Sequence, residues 1–341
     1  ASVAVISDAG YLPLVPVGDG RWTGVQTLAP DVYRYVFLVD GVVAPDPDNL
    51  DFVVGYGFPF PQSYFEVPGD GSRPHELRKE VTYGDVRRVH YYSPVLQRMR
   101  QMHVYTPYGY DVKQGTGRRA RWQDYPVLYL LGGAGESDSQ WSTVGRAGVI
   151  IQNLIEEGKV KPMIVVMPNG NVSQQAAPGE GIRGYYKPQI MDPGTMDGSY
   201  EAAFMDVVNF VEDGYRVKAK KSYRAVAGLS MGGFHSLHIS RYYANTFDYV
   251  GLFSAAILPN QNVTSEVYQD IDASLKQQMD NGYKLDWIGI GKSDFLYNNV
   301  KSYTEKLSAM GMPDTYLESE GGHIWKNWRI YLSEFTPLLF K

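Results

Sequence analysis

The chain has 341 residues, 44% of them hydrophobic, with 32 basic against 37 acidic side chains and a net charge of −5. Its length suits a small domain beside a larger one, or one large α/β domain with an extension. The acidic balance without a basic run argues against nucleic acid as a partner. No apolar run approaches the roughly 18 residues of a membrane span. The absence of cysteine excludes disulfides, thiolate nucleophiles and zinc–thiolate sites.

The N-terminal part of the chain is predicted to form a small β-sandwich, because short alternating segments are broken by Gly, Pro and Asp. The predicted strands are 3–6, 22–25, 32–39 and 64–67, with a hairpin turn at 39–42. A strand so near residue 1 leads us to expect that the native chain begins earlier. The aromatic segment 51–65 is expected to pack on the next domain or to bind a ligand, since free exposure would be costly.

A different pattern begins after a linker at 69–74. Near-continuous apolar strands alternate with helical segments, which predicts a mostly parallel sheet covered on both faces. We therefore predict an α/β protein, with a β-sandwich domain over residues 1–72 and an α/β domain over 73–341. The predicted strands are 86–92, 98–106, 127–131, 164–167, 224–227, 250–254, 285–290 and 315–318, and the predicted helices are 144–157, 200–213, 266–281, 295–310 and 324–335.

The first candidate catalytic residue is Ser230, in the pattern Gly-x-Ser-x-Gly formed with Gly228 and Gly232. The pattern joins an apolar strand to a helix, so Ser230 is expected at the tip of a strained turn that only small neighbours tolerate. Its hydroxyl would then stand exposed above the sheet at the positive end of a helix. The alternative is an ordinary serine in a glycine-rich turn.

A serine nucleophile needs a base and an acid that orients the base. His323 follows the last predicted strand and two glycines, and Asp294 follows the strand before it. The chain order Ser, Asp, His is that of α/β-hydrolases. Asp294 is also placed to cap the next helix, and both roles are compatible. His235 and His238 are one helical turn apart, but no neighbouring acid completes a metal site, and the predicted mechanism needs no metal or cofactor.

The oxyanion of a tetrahedral intermediate requires hydrogen-bond donors. The amide of Met231 is one candidate, because it follows the nucleophile. The second is expected in the glycine loop 132–135, from Ala134 or the neighbouring Gly133. Such loops also cradle phosphates, but no Gly-Lys-Ser/Thr follows here.

Five sequence blocks in a fixed order resemble the esterase D-like α/β-hydrolases, and within them the feruloyl and acetylxylan esterases of carbohydrate esterase family 1. The blocks are 125–135, 162–170, 224–233, 290–297 and 321–325, within a resemblance over 81–341. The resemblance implies Ser230 as nucleophile, Asp294 as acid and His323 as base, with Met231 and Ala134 as oxyanion donors. Gly132 stands where the family usually has histidine. Residues 33–49 resemble the immunoglobulin-like carbohydrate-binding family 48 modules that precede many such esterases.

The resemblance implies a secreted or periplasmic serine carboxylesterase that releases hydroxycinnamates from feruloylated arabinoxylan or xylo-oligosaccharides. The 27 tyrosines and 13% aromatic content favour a planar acyl group over acetyl, although they also suit a tyrosine-rich core. Trp141, Tyr186, Trp325 and the segment 52–65 are the predicted walls. The alternatives are an acetylxylan esterase, a siderophore esterase and a non-catalytic glycan-binding protein. The sequence does not indicate an oligomeric state.

Overall fold

The computed structural model of the chain describes residues 1–53, 61–115, 121–173, 193–259 and 262–341. Within these ranges the chain forms two multi-stranded sheets and one two-stranded sheet. No helix in the described ranges has the length and apolar character that a bilayer crossing requires.

The N-terminal β-region, residues 1–67, contains antiparallel sheets. Six strands form one sheet in the order β2-β1-β5-β8-β7, with β6 also paired to β5, and β3 pairs with β4. This architecture agrees with the predicted all-β region, while an immunoglobulin-like sandwich remains a prediction. The strands are β1 (Val3–Ser7), β2 (Gly10–Pro13), β3 (Val15–Gly18), β4 (Arg21–Thr23), β5 (Asp31–Val39), β6 (Val42–Ala44), β7 (Phe52–Val53) and β8 (Gln62–Val67).

The large sheet has eight strands in the order β16-β15-β14-β13-β11-β12-β10-β9. Its six strands from β11 onward run parallel, and β9 and β10 extend the edge beyond β12 in antiparallel pairing. The predicted mostly parallel sheet is therefore confirmed. The strands are β9 (Asp85–Ser93), β10 (Arg98–Thr106), β11 (Val127–Leu131), β12 (Ile164–Pro168), β13 (Arg224–Leu229), β14 (Tyr249–Phe253), β15 (Leu285–Gly291) and β16 (Thr315–Ser319).

Helices cover both faces of the large sheet. Consecutive residues of β11 point to opposite faces, so Tyr129 enters one hydrophobic core while Leu128 and Leu130 enter the other. Burial on both faces explains why the strand is wholly apolar. The helices are α1 (Ala147–Glu156), α2 (Ser199–Ala202), α3 (Phe204–Gly214), α4 (Met231–Tyr242), α5 (Ile271–Asp280), α6 (Tyr297–Met310) and α7 (Trp325–Phe335).

The predicted continuous helix over 266–281 is wrong. A 3₁₀ turn covers Glu266–Tyr268, and α5 begins only at Ile271. Asp270 between them is left-handed, with φ 47, which a continuing right-handed helix does not allow. Aspartate tolerates this conformation better than most residues, but apolar spacing carries no sign of it.

Charged side chains join the N-terminal β-region to helices of the large sheet. The guanidinium of Arg329 on α7 is 3% exposed and donates to the Asp31 carboxylate over 2.5 Å and to the Val144 carbonyl over 2.6 Å. Arg146, just before α1, donates to Glu66 over 2.6 Å. Because a buried charge without its partner is strongly unfavourable, the Arg329–Asp31 pair ties β5 to the helix that follows His323.

Candidate active site

Ser230 lies at the tip of the turn between β13 and α4. Its backbone has φ 53 and ψ −114, a conformation that is rare for a residue with a side chain. Three backbone hydrogen bonds hold it there: its N–H donates to Phe253 over 2.9 Å, and its carbonyl accepts from Phe234 at 3.0 Å and from Ala256 at 3.1 Å. The predicted strand–turn–helix arrangement around Ser230 is thus observed, with the strain fixed by its surroundings.

The glycines beside Ser230 allow close contact between backbone segments. A Cβ at Gly228 would lie 2.4 Å from the carbonyl carbon and oxygen of Gly232. A Cβ at Gly232 would lie 2.4 Å from the Leu131 carbonyl oxygen and 2.5 Å from that of Gly132. The start of α4 therefore rests directly on the loop after β11, which brings the two predicted oxyanion segments together.

Replacing Gly232 by alanine is expected to destabilise the fold, because backbone atoms cannot move aside as a flexible side chain can. We expect a loss of about 1–3 kcal/mol or more, measured as a lower thermal unfolding temperature. Gly214→Ala is the matched control, since nothing lies within 4 Å of a Cβ there. Equal unfolding temperatures for Gly232→Ala and the parent chain would contradict the close approach.

Asp294 and His323 are in hydrogen-bond contact. The distance from His323 Nδ1 to Asp294 Oδ2 is 2.9 Å, with the carboxylate fully buried and the imidazole 19% exposed. Asp294 Oδ1 also accepts from the Leu296 amide over 2.9 Å. The carboxylate therefore bonds to the histidine and to the turn before α6 at the same time. Burial raises the pKa of Asp294, but the bonds from His323 and Leu296 outweigh it, and the pKa lies below its usual value. The carboxylate is therefore ionised at neutral pH.

The predicted triad residues all follow parallel strands at the same edge of the sheet. Ser230 follows β13, Asp294 follows β15 and His323 follows β16, and carboxyl ends of parallel strands share one edge. Within the described ranges no hydrogen bond joins the Ser230 hydroxyl to His323. Such contacts often tighten only when substrate binds.

The loop after β11 contains a turn that is closed by two hydrogen bonds between Gly133 and Glu136. The Gly133 N–H donates to Glu136 Oε2 over 2.7 Å, and the Glu136 N–H donates to the Gly133 carbonyl over 3.2 Å. Gly135 has φ 67, the left-handed conformation that the third residue of a type II turn needs. The Gly133 amide is thus already bonded, and Ala134 remains the candidate donor from this loop. Met231 is the first residue of α4, so its N–H has no acceptor within the helix.

Two of the predicted wall residues lie in the core. Trp141 is 1% exposed and donates from Nε1 to the Leu131 carbonyl over 2.9 Å. Trp325 is 3% exposed and packs edge-on against Trp141, with ring centroids 5.1 Å apart. The prediction that these indoles wall a substrate cavity is corrected, because they present almost no surface. In the sequence, aromatic character alone does not distinguish an indole buried in the core from one that lines a cavity.

The remaining wall predictions fall wholly or partly outside the described ranges. Tyr186 lies outside the described residues, as do residues 54–60 of the aromatic segment. In its described part, Val53 is 1% exposed and belongs to the same hydrophobic core as Trp141, with Tyr64 packed against that core. These two contacts agree with packing on the α/β part of the chain.

Sequence reasoning missed three exposed apolar residues beyond the strand ends at the sheet edge of the candidate site. Phe295 is 75% exposed, and its ring centroid lies 4.6 Å from that of the His323 imidazole. Leu258 and Ile324 are 69% and 42% exposed. The three residues follow β14, β15 and β16 in turn, so the apolar residues just beyond strand ends were the signal available in the sequence. Leu258, Phe295 and Ile324 together form the apolar rim of this sheet edge.

The two histidines of α4 are held in the protein interior. His235 Nδ1 lies 2.7 Å from Glu201 Oε1, with both side chains fully buried. His238 Nδ1 accepts a hydrogen bond from Arg241 over 2.7 Å. Burial and the neighbouring Arg241 charge hold the pKa of His238 well below its usual value, so it is neutral. In the described part of the chain, no group of three acidic, histidine or cysteine side chains is placed to hold a metal ion.

Comparison with known proteins gives one family match and several relatives. The Esterase family model matches residues 93–339. The endo-1,4-beta-xylanase/feruloyl esterase of Xylanibacter ruminicola is 30% identical over 326 residues, covering 95% of this chain and 40% of that protein. The chain therefore spans well under half the length of this relative.

Two solved structures share the fold. The ferulic acid esterase of Anaeromyces mucronatus matches with a TM-score of 0.62 and 23% identity, covering 79% of this chain and 95% of that one. The enterobactin esterase of Shigella flexneri matches with a TM-score of 0.60 and 15% identity, covering 99% of this chain and 87% of that one. Together with the parallel sheet, these likenesses identify the α/β-hydrolase fold.

Proposed function

The chain belongs to the Esterase family and is a carboxylic ester hydrolase, and on this basis we propose that it hydrolyses feruloyl esters of plant cell-wall xylan with Ser230 as nucleophile. The observation that carries the proposal is the 2.9 Å contact between His323 and the buried Asp294 carboxylate, at the sheet edge where the strained Ser230 turn also lies. A base oriented by a buried acid, at the same sheet edge as a serine hydroxyl, is the arrangement that acyl transfer through a serine requires.

The proposed reaction has two steps. His323 Nε2 takes the Ser230 proton while Nδ1–H donates to Asp294, and the serine oxygen attacks the ester carbonyl carbon. The amides of Met231 and Ala134 bind the resulting oxyanion, and the alcohol leaves with the proton from His323. A water molecule, deprotonated by the same histidine, then attacks the acyl carbon; the bond to the Ser230 oxygen breaks, that oxygen takes the proton back from His323, and the acid is released. The chemistry assigned to these residues requires no metal or cofactor.

The apolar rim supports an aromatic acyl group. An exposed phenylalanine against the imidazole offers a flat apolar face close to the reacting carbonyl, which a hydroxycinnamoyl ring can contact and an acetyl group cannot. The relative that matches 95% of this chain is named a xylanase/feruloyl esterase, which supports the same substrate class. Feruloylated arabinoxylan or xylo-oligosaccharides are thus the proposed substrates.

The N-terminal β-region supports a two-part organisation. We propose a division at residues 72 and 73, with a carbohydrate-binding family 48-like module before the esterase domain. Its antiparallel strands and the Arg329–Asp31 pair support a module packed on the esterase. Because xylan lies outside the cell that degrades it, we also propose a secreted or periplasmic location.

Replacing Phe295 by alanine tests the acyl preference. We expect kcat/KM for methyl ferulate to fall roughly 2- to 10-fold relative to that for 4-nitrophenyl acetate, since an aromatic contact contributes about 0.5–1.5 kcal/mol. Tyr108→Ala is the matched control, because Tyr108 is also exposed but follows β10, whose carboxyl end lies at the opposite sheet edge. Steady-state kinetics on both esters gives the ratio.

Parallel assays of the parent chain on methyl ferulate, acetylated xylan and a catecholate ester separate the proposed function from its rivals. A kcat/KM that is highest for methyl ferulate supports the feruloyl esterase. A higher value for acetylated xylan would identify an acetylxylan esterase, and a higher value for the catecholate ester a siderophore esterase. Absence of turnover on every ester would leave glycan binding without catalysis and refute the proposal.

A further inference from the structure

Glu136 lies in the oxyanion loop but has no role in the reaction described above. It is half-buried, and its side chain turns back along the loop to accept the Gly133 N–H over 2.7 Å. Its own N–H donates to the Gly133 carbonyl over 3.2 Å. Both polar groups of the Gly133 backbone are therefore bonded to the same residue.

This double contact fixes the direction of the next amide. In a planar trans peptide, the carbonyl of one residue and the N–H of the next point in opposite directions. Because the Gly133 carbonyl is turned toward the Glu136 N–H, the Ala134 N–H must point away from Glu136. The amide that we assign to the oxyanion is thus oriented by Glu136 before substrate binds.

The loop has little freedom to shift away from the carboxylate. A Cβ at Gly133 would lie 3.3 Å from Glu136 Oε2 and 2.7 Å from Leu229 Cδ1, and a Cβ at Gly132 would lie 3.4 Å from Glu136 Oε2. The glycines leave space that the glutamate occupies. Without this carboxylate, the Gly133 N–H would lose its acceptor, and only the carbonyl bond to the Glu136 N–H would hold the turn.

The charges that face Glu136 come from two other elements. Burial raises the pKa of Glu136 above its ordinary value, although the Gly133 amide, Arg34 on β5 and His323 each act to lower it. Arg34 is itself paired with Asp8 over 2.8 Å, and His323 with Asp294. The Arg34 charge and the Gly133 N–H both favour the ionised carboxylate, which is the stronger acceptor for that N–H.

We infer that Glu136 is a positioning residue of this esterase: its carboxylate holds the Gly133 N–H, and so fixes the turn that presents the Ala134 amide to the oxyanion. The inference rests on the proposed Ser230 mechanism. It also explains how a loop with Gly132 at its start keeps a fixed shape, since Glu136 anchors the backbone from within the turn.

Two substitutions test the role of the carboxylate. Glu136→Ala removes the acceptor and the charge, and we expect kcat to fall on the order of 10²-fold with little change in KM, because the amide is misplaced in the transition state. Glu136→Gln keeps an oxygen that can accept the Gly133 N–H, so we expect it to recover most of kcat. This recovery by glutamine distinguishes a positioning role from a general loss of packing, which glutamine would not single out.

The measurement uses 4-nitrophenyl acetate, so that it does not depend on the preferred acyl group. Glu334→Gln, an exposed change of the same kind on α7, should leave kcat unaltered. Circular dichroism and thermal unfolding report folding of each variant. Should Glu136→Ala fail to fold, Glu136→Met replaces it, because methionine has a similar length without an oxygen acceptor, and parent-like kcat in folded Glu136→Met then overturns the inference.

Parent-like kcat in a folded Glu136→Ala overturns the inference, as does a Glu136→Gln variant as impaired as the alanine variant. If the proposed feruloyl substrate is wrong, the result is different. The parent chain would then hydrolyse 4-nitrophenyl acetate but not methyl ferulate, and the Glu136 comparison would still be valid. Activity in Ser230→Ala would instead show that Ser230 is not the nucleophile and that the proposed mechanism is wrong.

Discussion

Ser230→Ala is expected to abolish hydrolysis of both methyl ferulate and 4-nitrophenyl acetate, with kcat lowered by about 10⁴- to 10⁶-fold. The hydroxyl is the atom that becomes acylated, so no other group of the turn can replace it. The fold should persist, because the turn is held by the backbone N–H and carbonyl of Ser230, which bond to Phe253, Phe234 and Ala256. Alanine keeps both groups and has a Cβ that occupies the same space.

Comparison with Ser308→Ala controls for the change of serine to alanine. Ser308 is exposed on α6, away from the strand ends that carry the site, and its variant should keep parent-like kcat. Mass spectrometry after brief exposure to a fluorophosphonate gives a second measurement, since only chains with a reactive serine gain the adduct. Residual esterase activity in Ser230→Ala equal to that of the parent would show that another residue is the nucleophile.

The sequence was sufficient for the sheet and for the positions of the candidate triad. Apolar runs such as β11 are diagnostic of strands buried on both faces, and parallel strands bring their carboxyl ends to one edge. Local chain order then placed Ser230, Asp294 and His323 at that edge. Their proximity needed no side-chain detail, because the sheet topology determines it.

The sequence was not sufficient for features that depend on side-chain packing. Trp141 and Trp325 are aromatic whether they face a cavity or the core, and only tertiary contacts decide between the two. Glu136 bonds to a backbone amide three residues away. In the sequence it looks like any other polar residue of a loop, so nothing there indicates the contact. The left-handed Asp270 likewise breaks a helix without changing the apolar spacing that predicted it.

Arg329 and Arg34 show why the N-terminal β-region bears on catalysis. Arg329 lies one helical turn after Trp325 on α7, and its buried pair with Asp31 holds that helix against β5. Arg34, on the same strand, contributes positive charge near Glu136. The strand therefore contacts the helix after the base, and its charge acts on the oxyanion loop, so we expect the N-terminal β-region to support the shape of the site irrespective of any glycan binding.

Asp294→Asn is expected to lower kcat by roughly 10³- to 10⁴-fold while leaving the fold intact. The asparagine oxygen can still accept the Leu296 amide, so the turn before α6 keeps its bond. Its NH₂ group would face His323 Nδ1 as a donor, which favours the tautomer protonated at Nε2. That tautomer cannot take the serine proton, so the loss should appear in kcat for every ester tested.

The same substitution should change how stability depends on pH. The pKa of Asp294 is lowered in the folded chain, so its ionised form contributes stability above the unfolded-state pKa, and this contribution is lost as pH falls through the folded value. We expect Asp294→Asn to unfold at a lower temperature than the parent at neutral pH, with the difference shrinking below about pH 4. Asp280→Asn, an exposed change at the end of α5, should show neither effect. Parent-like kcat in Asp294→Asn would remove this carboxylate from the mechanism, since a buried acid bonded to the base would then be only structural.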